Sequence, residues 1–255
     1  MREATLKQTQ PDLSIIIPAY HEENRIGHTL DELAVFLKHD NFFKLKTVEV
    51  LVVAADSPDK TRETILAKKR QFKQLKLLQP GPKIGKGRDV QFGMQHATGS
   101  IVVFMDADMA TPLIHLRKFY NACTGDSDLV IGTRNLHTYR PNLVRRLFAS
   151  IGNVLFRLAG GIWIEDSQCG FKMCKQAAAK ICYPKLTILG WGFDMEVLTI
   201  AKVNGLKIKH YRINDWKDVP GGTFTDNVIS ISLQAVKDLL HIVLNRLNGS
   251  YIQVK

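Results

Sequence analysis

Short apolar segments alternate with longer amphipathic segments through the first half of the chain, and this alternation predicts its architecture. The apolar segments are rich in Val and Ile, which favour strands because branching at Cβ suits a pleated surface. A short apolar run with little polar alternation is typical of a parallel strand covered on both faces. Strands are predicted at Leu13–Ile17, where Pro18 ends the run, and at Val48–Ala54, Leu75–Leu78, Ile101–Met105 and Asp128–Gly132.

Between these strands, apolar residues recur at the three- and four-residue spacing of an amphipathic helix. The first such segment begins at Glu22 and places Ile26 and Leu30 on one face. Two more follow at Lys60–Phe72 and Arg88–Ala97. Strands that alternate with helices predict the α/β class, with a mostly parallel, Rossmann-like central sheet flanked by helices.

The fourth predicted strand leads directly into Asp106-Ala107-Asp108. Open α/β sheets bind ligands at the carboxyl ends of their strands. Two neighbouring carboxylates repel each other unless a cation joins them, and Mg²⁺ commonly shares one or two carboxylates with substrate phosphates. The motif alone is equally typical of a polar turn after a strand, so its interpretation depends on the rest of the chain.

Composition and charge narrow the class of partner. The 35 Lys and Arg residues exceed the 24 Asp and Glu residues and give a net charge of +11, which favours an anionic partner such as a nucleotide diphosphate or a phospholipid headgroup. Nucleic acid also fits this charge, but the strands carry no interleaved basic and aromatic residues, so we expect no nucleic-acid partner. Apolar residues make up 45% of the chain, enough for a substantial core.

Cysteine usage and hydropathy suggest a cytoplasmic protein. The four cysteines form no Cys-x-x-Cys motif, which favours reduced, buried thiols. The polar first residues lack the apolar segment of a signal peptide, and no apolar run reaches the roughly 18 residues that span a bilayer. We therefore expect a soluble or peripheral protein.

Two amphipathic segments distinguish the second half. Residues 141–163 are basic, and the segment is typical of either a packed helix or a helix on a membrane surface whose arginines reach lipid phosphates. Residues 226–247 are predicted to form a helix with only a narrow polar stripe. Its broad apolar surface requires a core, a partner subunit or a membrane, and core or homodimer packing ranks slightly ahead of the membrane.

Several polar motifs carry candidate chemistry. Gly85-Lys86-Gly87 precedes a helix, where glycine lets the backbone approach a phosphate and the lysine and helix N–H groups attract it, although a plain loop is equally typical of so short a motif. Two later stretches combine polar and aromatic residues and together suggest the wall of a site. The wall candidates are Gln168, Trp191, Asp194 and Glu196.

Taken in order, these motifs resemble the inverting glycosyltransferases of family two, and within it the dolichyl- and polyprenyl-phosphate glycosyltransferases. The resemblance runs from about Leu13 to Ile213 and rests on five ordered motifs. They are Ile17-Pro18-Ala19-Tyr20-His21-Glu22-Glu23, Gly85-Lys86-Gly87, Asp106-Ala107-Asp108, Ile131-Gly132-Thr133-Arg134 and Asp166-Ser167-Gln168-Cys169-Gly170-Phe171-Lys172. The last motif and Trp191-Gly192-Phe193-Asp194-Met195-Glu196 look more like the glucosyl-transferring branch, which implies UDP-glucose as donor, with GDP-mannose as the alternative.

The resemblance implies a GT-A fold in a single domain, residues 1–255. Its nucleotide-binding half is expected at about 11–132, its acceptor half at 133–225 and its C-terminal helix at 226–255. It further implies a peripheral enzyme at the inner face of a membrane, with an anionic lipid surface as partner and a role in cell-envelope glycan synthesis.

The resemblance also assigns roles to individual residues. Mg²⁺ or Mn²⁺ is implied at Asp106 and Asp108, and catalytic roles fall to Asp108, Asp166 and Arg134. The donor nucleotide is expected to contact Pro18, Ala19, Tyr20, Glu22, Asp56, Lys86 and Asp106. The acceptor lipid phosphate is expected at Arg134, Arg146 and Ser150. Asp166 orients the attacking group, or acts as base if the acceptor is a neutral hydroxyl.

One departure from the family and two rival classes remain. After the second strand the family usually carries paired aspartates that help hold the base, whereas this chain reads Ala54-Ala55-Asp56, which puts nucleotide identity and donor affinity in question. A nucleotidyltransferase also uses acidic metal pairs, but its Gly-rich loop after the first strand is replaced by Pro18-Ala19-Tyr20. An inactive transferase or another basic binding scaffold is the non-catalytic alternative.

Overall fold

A single mixed sheet organises the described part of the protein. The computed structural model describes residues 10–134, 161, 166–217 and 228–253. Within these ranges seven strands lie in the order β3-β2-β1-β4-β6-β5-β7, so β4 occupies the middle of the sheet. The strands are β1 (Leu13–Ala19), β2 (Val48–Ala54), β3 (Leu75–Leu78), β4 (Ile101–Met105), β5 (Leu129–Arg134), β6 (Phe171–Lys175) and β7 (Ile208–Ile213).

Strand direction confirms the predicted α/β class. β1 pairs in parallel with β2 and β4, β2 with β3, and β5 with β7. Only β6 runs the other way, antiparallel to both β4 and β5 in the described sheet. β5 therefore points in the same direction as β4, and the carboxyl ends of six strands face one edge.

Helices cover both faces of this sheet. The described helices are α1 (Ile26–His39), α2 (Thr61–Lys69), α3 (Lys86–His96), α4 (His115–Thr124), α5 (Gln176–Cys182), α6 (Phe193–Val203) and α7 (Val228–Leu247). Side chains of α1, α2 and α4 join one apolar cluster, and those of α3, α5, α6 and α7 join the other. Alternate side chains of β1 pack into the two clusters: Ile15 and Ile17 belong to the first and Ile16 to the second.

Several predicted boundaries shift by a few residues. Pro18 does not end the first strand, because β1 continues to Ala19 by pairing with β2 beyond the last residue paired with β4. The missing N–H of proline removes no bond to β4 there. The helix predicted from Glu22 begins at Ile26, and the one predicted from Arg88 begins earlier, at Lys86.

The four cysteines are buried and unbridged, as predicted from their spacing. Burial raises the pKa of the Cys123 and Cys182 thiols to about 12. A thiol that stays protonated at neutral pH is a poor nucleophile, so these residues act as small apolar side chains.

Helix α7 packs one side against the protein and leaves the other side open. Leu239 and Ile242 are buried in the second apolar cluster. The opposite side carries exposed apolar residues: Leu233, Val236, Leu240, Leu244 and Leu247. None of the helices in the described ranges is long and apolar enough to cross a membrane. The basic segment 141–163 lies outside the described residues apart from Gly161.

A buried carboxylate network ties the amino ends of the central strands together, away from the edge with the polar motifs. Glu49 of β2 is 4% exposed and accepts hydrogen bonds from the Ser14 hydroxyl at 2.6 Å and from the Thr98 amide and hydroxyl, each at 2.7 Å. The Lys76 ammonium lies 2.9 Å from the same carboxylate. Burial acts to raise the pKa of Glu49, but these hydrogen bonds outweigh it and lower the pKa to about 2.

This network predicts a specific acid sensitivity. Because the folded-state pKa lies below the ordinary 4.5, the charged carboxylate stabilises the fold above pH 4.5, and that stabilisation is lost as the pH falls towards 2. Glu49→Gln should therefore lower the free energy of unfolding at pH 7 by about 2–3 kcal/mol and flatten its pH dependence in that window. Urea titrations at several pH values test this, with the exposed Glu63→Gln as control. Equal slopes in wild type and Glu49→Gln would contradict it.

Candidate active site

The polar motifs meet at the carboxyl edge of the sheet. β1, β2 and β4 are parallel neighbours that end there, and β6 begins there because it runs antiparallel to β4. The strand order reverses between β1 and β4, which is where open α/β sheets form a ligand crevice.

Asp106 and Lys86 form an ion pair at the end of β4. The carboxylate lies 2.5 Å from the Lys86 ammonium, and their side chains are 30% and 15% exposed. Lys86 Nζ also lies 5.0 Å from the centre of the Trp191 ring. Burial acts to lower the pKa of Lys86, but the charges of Asp106 and Asp194 raise it, so the lysine remains a cation.

Asp108 and Glu22 add two more carboxylates to this end of the crevice. Burial and the charge of Asp106 raise the pKa of Asp108, whose Oδ1 accepts a hydrogen bond from the Ala110 amide at 3.0 Å. Burial raises the pKa of Glu22, although Arg25 opposes this from 2.7 Å. Between the aspartates and the next helix, Met109 adopts a left-handed backbone with φ of 54°, an uncommon conformation that clusters at functional sites.

The donor chemistry of this cluster fits a hard divalent cation. Asp108 carries a destabilised charge beside Asp106, and an added cation relieves that repulsion. Within the described ranges no group of three His, Cys, Asp or Glu residues encloses a metal position.

Two neighbouring loops form the other side of the crevice. The His21 amide donates to Ser57 Oγ at 3.1 Å, and the Glu22 amide donates to Thr61 Oγ1 at 2.8 Å, so the loops after β1 and β2 are joined. His21 adopts a φ of 58°. Tyr20 lies beneath Lys83, whose ammonium is 4.9 Å from the ring centre.

The three residues at the end of β2 divide between the interior and the surface. Ala54 and Ala55 are both 3% exposed and pack into the protein, whereas Asp56 is exposed. The Asp56 amide donates to the Gly81 carbonyl at 3.0 Å. Asp56 is therefore the first solvent-facing acid at the end of β2, on the same edge as Asp106.

Arg134 and Asp166 form a second, forked ion pair. Arg134 Nε and Nη2 donate to the two Asp166 oxygens at 2.7 and 3.0 Å, and the Arg134 amide adds a bond at 3.0 Å. Burial acts to raise the pKa of Asp166, but these bonds and the arginine charge lower it. A carboxylate held in this way is a weak proton acceptor, which favours the orienting role over the base role. Arg146 and Ser150 lie outside the described residues.

The wall candidates occupy different environments. Trp191 is 55% exposed and contacts Lys86, and Asp194 is buried next to Phe193, which packs against Gly87. The Gln168 backbone N–H, not its side chain, donates to Asp166 Oδ1 at 3.1 Å. Glu196 is fully buried and accepts bonds from Thr187, Ile188 and Tyr251, so its carboxylate fixes the loop before α6 and does not face the crevice.

The structure places two further residues near the candidate site. Trp216 follows β7, lies 5.2 Å from the Arg134 guanidinium carbon and lines a small cavity with Asp106. Lys172 is buried and paired with Asp194. No spacing pattern in the sequence points to Trp216. Lys172 belongs to the motif Asp166–Lys172, but the sequence does not predict the strand that buries it.

Gly170 leaves room for the Asp106 carboxylate because it has no side chain. The Asp106 amide donates to the Gly170 carbonyl at 3.2 Å, and a Cβ at Gly170 would overlap the carboxylate. Gly170→Ala should therefore displace Asp106. We expect the rate of the sugar transfer that the motifs imply to fall by about 100-fold, since a small misplacement of a catalytic group lowers the rate strongly. Gly190→Ala, where an added Cβ meets open space, is the matched control. Equal activity of the two variants would contradict this placement.

The chain is similar to known sugar transferases over nearly its full length. The family model described as "Glycosyl transferase family 2" matches residues 14–181. A relative from Trichomonas vaginalis, named dolichyl-phosphate beta-glucosyltransferase ALG5A, is 32% identical over 94% of this chain and 75% of its own length.

Solved structures share the fold. Mannosyl-3-phosphoglycerate synthase from Rubrobacter xylanophilus matches with a TM-score of 0.69 and 15% identity, over 96% of this chain and 77% of that chain. Glucosyl-3-phosphoglycerate synthase from Mycobacterium tuberculosis was solved with Mn²⁺, UDP and phosphoglyceric acid. It matches with a TM-score of 0.60 and 18% identity, over 91% of this chain and 78% of that chain. The ordered motifs, their meeting at one sheet edge and the family match lead to one assignment: this chain belongs to glycosyl transferase family 2, with the GT-A fold.

Proposed function

We propose that this protein transfers glucose from UDP-glucose to dolichyl phosphate or a related polyprenyl phosphate. The observation that carries the proposal is its similarity, over 94% of the chain, to a relative named a dolichyl-phosphate beta-glucosyltransferase. That name favours glucose over the mannose of the alternative donor, GDP-mannose. Membership of a sugar-transferring family also disfavours a nucleotidyltransferase.

The donor would bind across the carboxyl ends of β1, β2 and β4. Pro18, Ala19 and Tyr20 at the end of β1 are proposed to surround the nucleoside, together with Glu22 and Asp56. Lys86 and Asp106 lie deeper in the crevice, where the diphosphate fits a lysine at a helix N-terminus.

A divalent cation, Mg²⁺ or Mn²⁺, is proposed at Asp106 and Asp108. The carboxylate pair fits such an ion, and a structural neighbour was solved with Mn²⁺ and UDP. When bound, the ion would neutralise charge that develops on the departing diphosphate. The protein's own contribution is to position both residues: the Gly170 carbonyl accepts a bond from the Asp106 backbone amide, and the Ala110 amide donates to the Asp108 carboxylate.

The proposed reaction is a single displacement with inversion. An oxygen of the lipid phosphate attacks the anomeric carbon of glucose, and the bond from that carbon to the UDP oxygen breaks. The attacking phosphate is already anionic at pH 7, so no strong base is needed, and the protein mainly positions and stabilises charge. Arg134, oriented by Asp166, is proposed to hold the acceptor phosphate with Arg146 and Ser150.

A lipid acceptor places the enzyme at a membrane surface, and we propose the cytoplasmic face. The exposed apolar side of α7 and the net charge of +11 support contact with anionic lipid. A homodimer through α7 would cover the same surface instead. Co-sedimentation with anionic vesicles at low salt should retain the protein, and a dimer in solution that stays unbound would contradict membrane docking.

A nucleotide panel tests the donor assignment. We expect Mn²⁺ with UDP to raise the unfolding temperature more than Mn²⁺ with GDP or CDP, because binding to the folded state alone stabilises it. Stabilisation by GDP alone would overturn the glucose assignment. No stabilisation by any of the three would contradict a working transferase and favour an inactive scaffold.

A further inference from the structure

A buried ion pair lies beneath the proposed diphosphate site. Lys172 of β6 and Asp194 of α6 approach to 2.6 Å, and their side chains are 1% and 3% exposed. Lys172 Nζ also donates to the Cys169 carbonyl at 2.7 Å. Removing two charges from water is costly, and a buried pair often adds little net stability, so this arrangement calls for another explanation.

The pair is connected to Lys86 through one aromatic ring. Phe104, the residue before the end of β4, has Lys172 Nζ at 5.4 Å and Lys86 Nζ at 5.9 Å from its ring centre. Lys86 in turn contacts Asp106. The start of α3 also packs directly against the start of α6. A Cβ on Gly87, next to Lys86, would lie 2.7 Å from the Cβ of Phe193, next to Asp194, and the Arg88 amide donates to the Leu189 carbonyl at 3.2 Å.

We propose that the Lys172–Asp194 pair positions Lys86, and through it the diphosphate of the donor. Asp106, Lys86, Asp194 and Lys172 form a series of alternating charges from the crevice into the core. When Asp106 binds a metal cation and releases Lys86, Asp194 attracts the Lys86 ammonium from the core side. Lys172 balances the charge of Asp194, so that Lys86 is not drawn away from the crevice. The inference rests on the proposed function, since it requires a diphosphate donor.

The competing explanation is purely structural: the pair fastens β6 to α6, and any effect of its loss on donor binding does not depend on Lys86. The two explanations differ in one respect. A structural pair affects nucleotide binding whether or not Lys86 is present, whereas a positioning pair acts only through Lys86.

A double-mutant cycle separates them. The first change is Lys172→Met with Asp194→Asn, which removes both charges at once and avoids an unpaired buried ion. The second change is Lys86→Met. The dissociation constant of UDP is measured by calorimetry in Mn²⁺ for wild type, each change and the combination, alongside unfolding temperature and the KM and kcat for UDP-glucose.

We expect the paired change to weaken UDP binding about five- to tenfold in wild type, the size of one partly desolvated charge interaction, and to have little effect after Lys86→Met. KM for the donor should rise more than kcat falls, and the unfolding temperature should hold or increase. The matched control is Lys175→Met with Asp128→Asn, which removes a more exposed pair at 3.1 Å from the same strand and should leave UDP affinity unchanged.

Additive effects of the two changes would overturn the inference alone, because UDP binding by the wild type would still support a UDP-dependent transferase. Equal weakening by the control pair would overturn it in the same way. If wild type binds no UDP, both the inference and the proposed donor are wrong.

Discussion

Replacing Asp108 with asparagine should reduce sugar transfer by about three orders of magnitude without unfolding the protein. The asparagine oxygen can still accept the Ala110 amide, so the turn is preserved. Burial and Asp106 raise the pKa of Asp108, so its charge destabilises the fold at pH 7. We therefore expect the unfolding temperature in a chelator to stay the same or rise, while transfer in Mn²⁺ is lost.

The control for this change is Asp31→Asn, which removes a carboxylate paired with Lys68 on the outer helices. It should retain wild-type transfer. Asp108→Asn with more than a tenth of wild-type activity would contradict a role for this residue at the diphosphate, and a large fall in unfolding temperature would contradict the stability argument.

Arg134→Met should be the most destabilising of the proposed changes. It leaves the Asp166 carboxylate, 3% exposed, without its forked partner. Loss of one member of a buried pair typically costs about 3–5 kcal/mol, and the free energy of unfolding from urea titration measures it. Transfer to the lipid phosphate should also be lost, since the proposed acceptor contact is removed.

A second variant separates stability from function at this pair. Adding Asp166→Asn to Arg134→Met removes the stranded charge and should recover much of the lost stability while transfer stays absent. Recovery of transfer along with stability would show that Arg134 serves the fold and not the acceptor.

The fold was largely predictable because its strands obey simple patterns. β1, β2, β3 and β4 are short apolar runs, and their parallel pairing follows from the helices between them. β6 was not predicted, since Lys172 and Lys175 interrupt its apolar pattern and no local signal marks an antiparallel strand inserted between parallel ones. β7 was missed because it alternates basic and half-buried residues at the edge of the sheet.

The positions of the candidate site residues were predictable where these residues lie at strand ends. Asp106 and Asp56 follow β4 and β2, and Arg134 ends β5; these three strands share a direction, so the approach of the three residues to one edge could be inferred. Contacts between distant elements could not: Trp216 reaches Arg134, and Asp194 reaches Lys172, only because of how β6, β7 and α6 pack. Asp194 and Glu196 looked alike in sequence, yet a helix turns positions two apart to different sides.

The most direct test of the central claim is transfer from radiolabelled UDP-glucose and, separately, GDP-mannose to a short polyprenyl phosphate in Mn²⁺. We predict labelled glycolipid from UDP-glucose that is absent with Asp108→Asn. Labelled lipid from GDP-mannose alone, or none from either donor, would contradict the assignment.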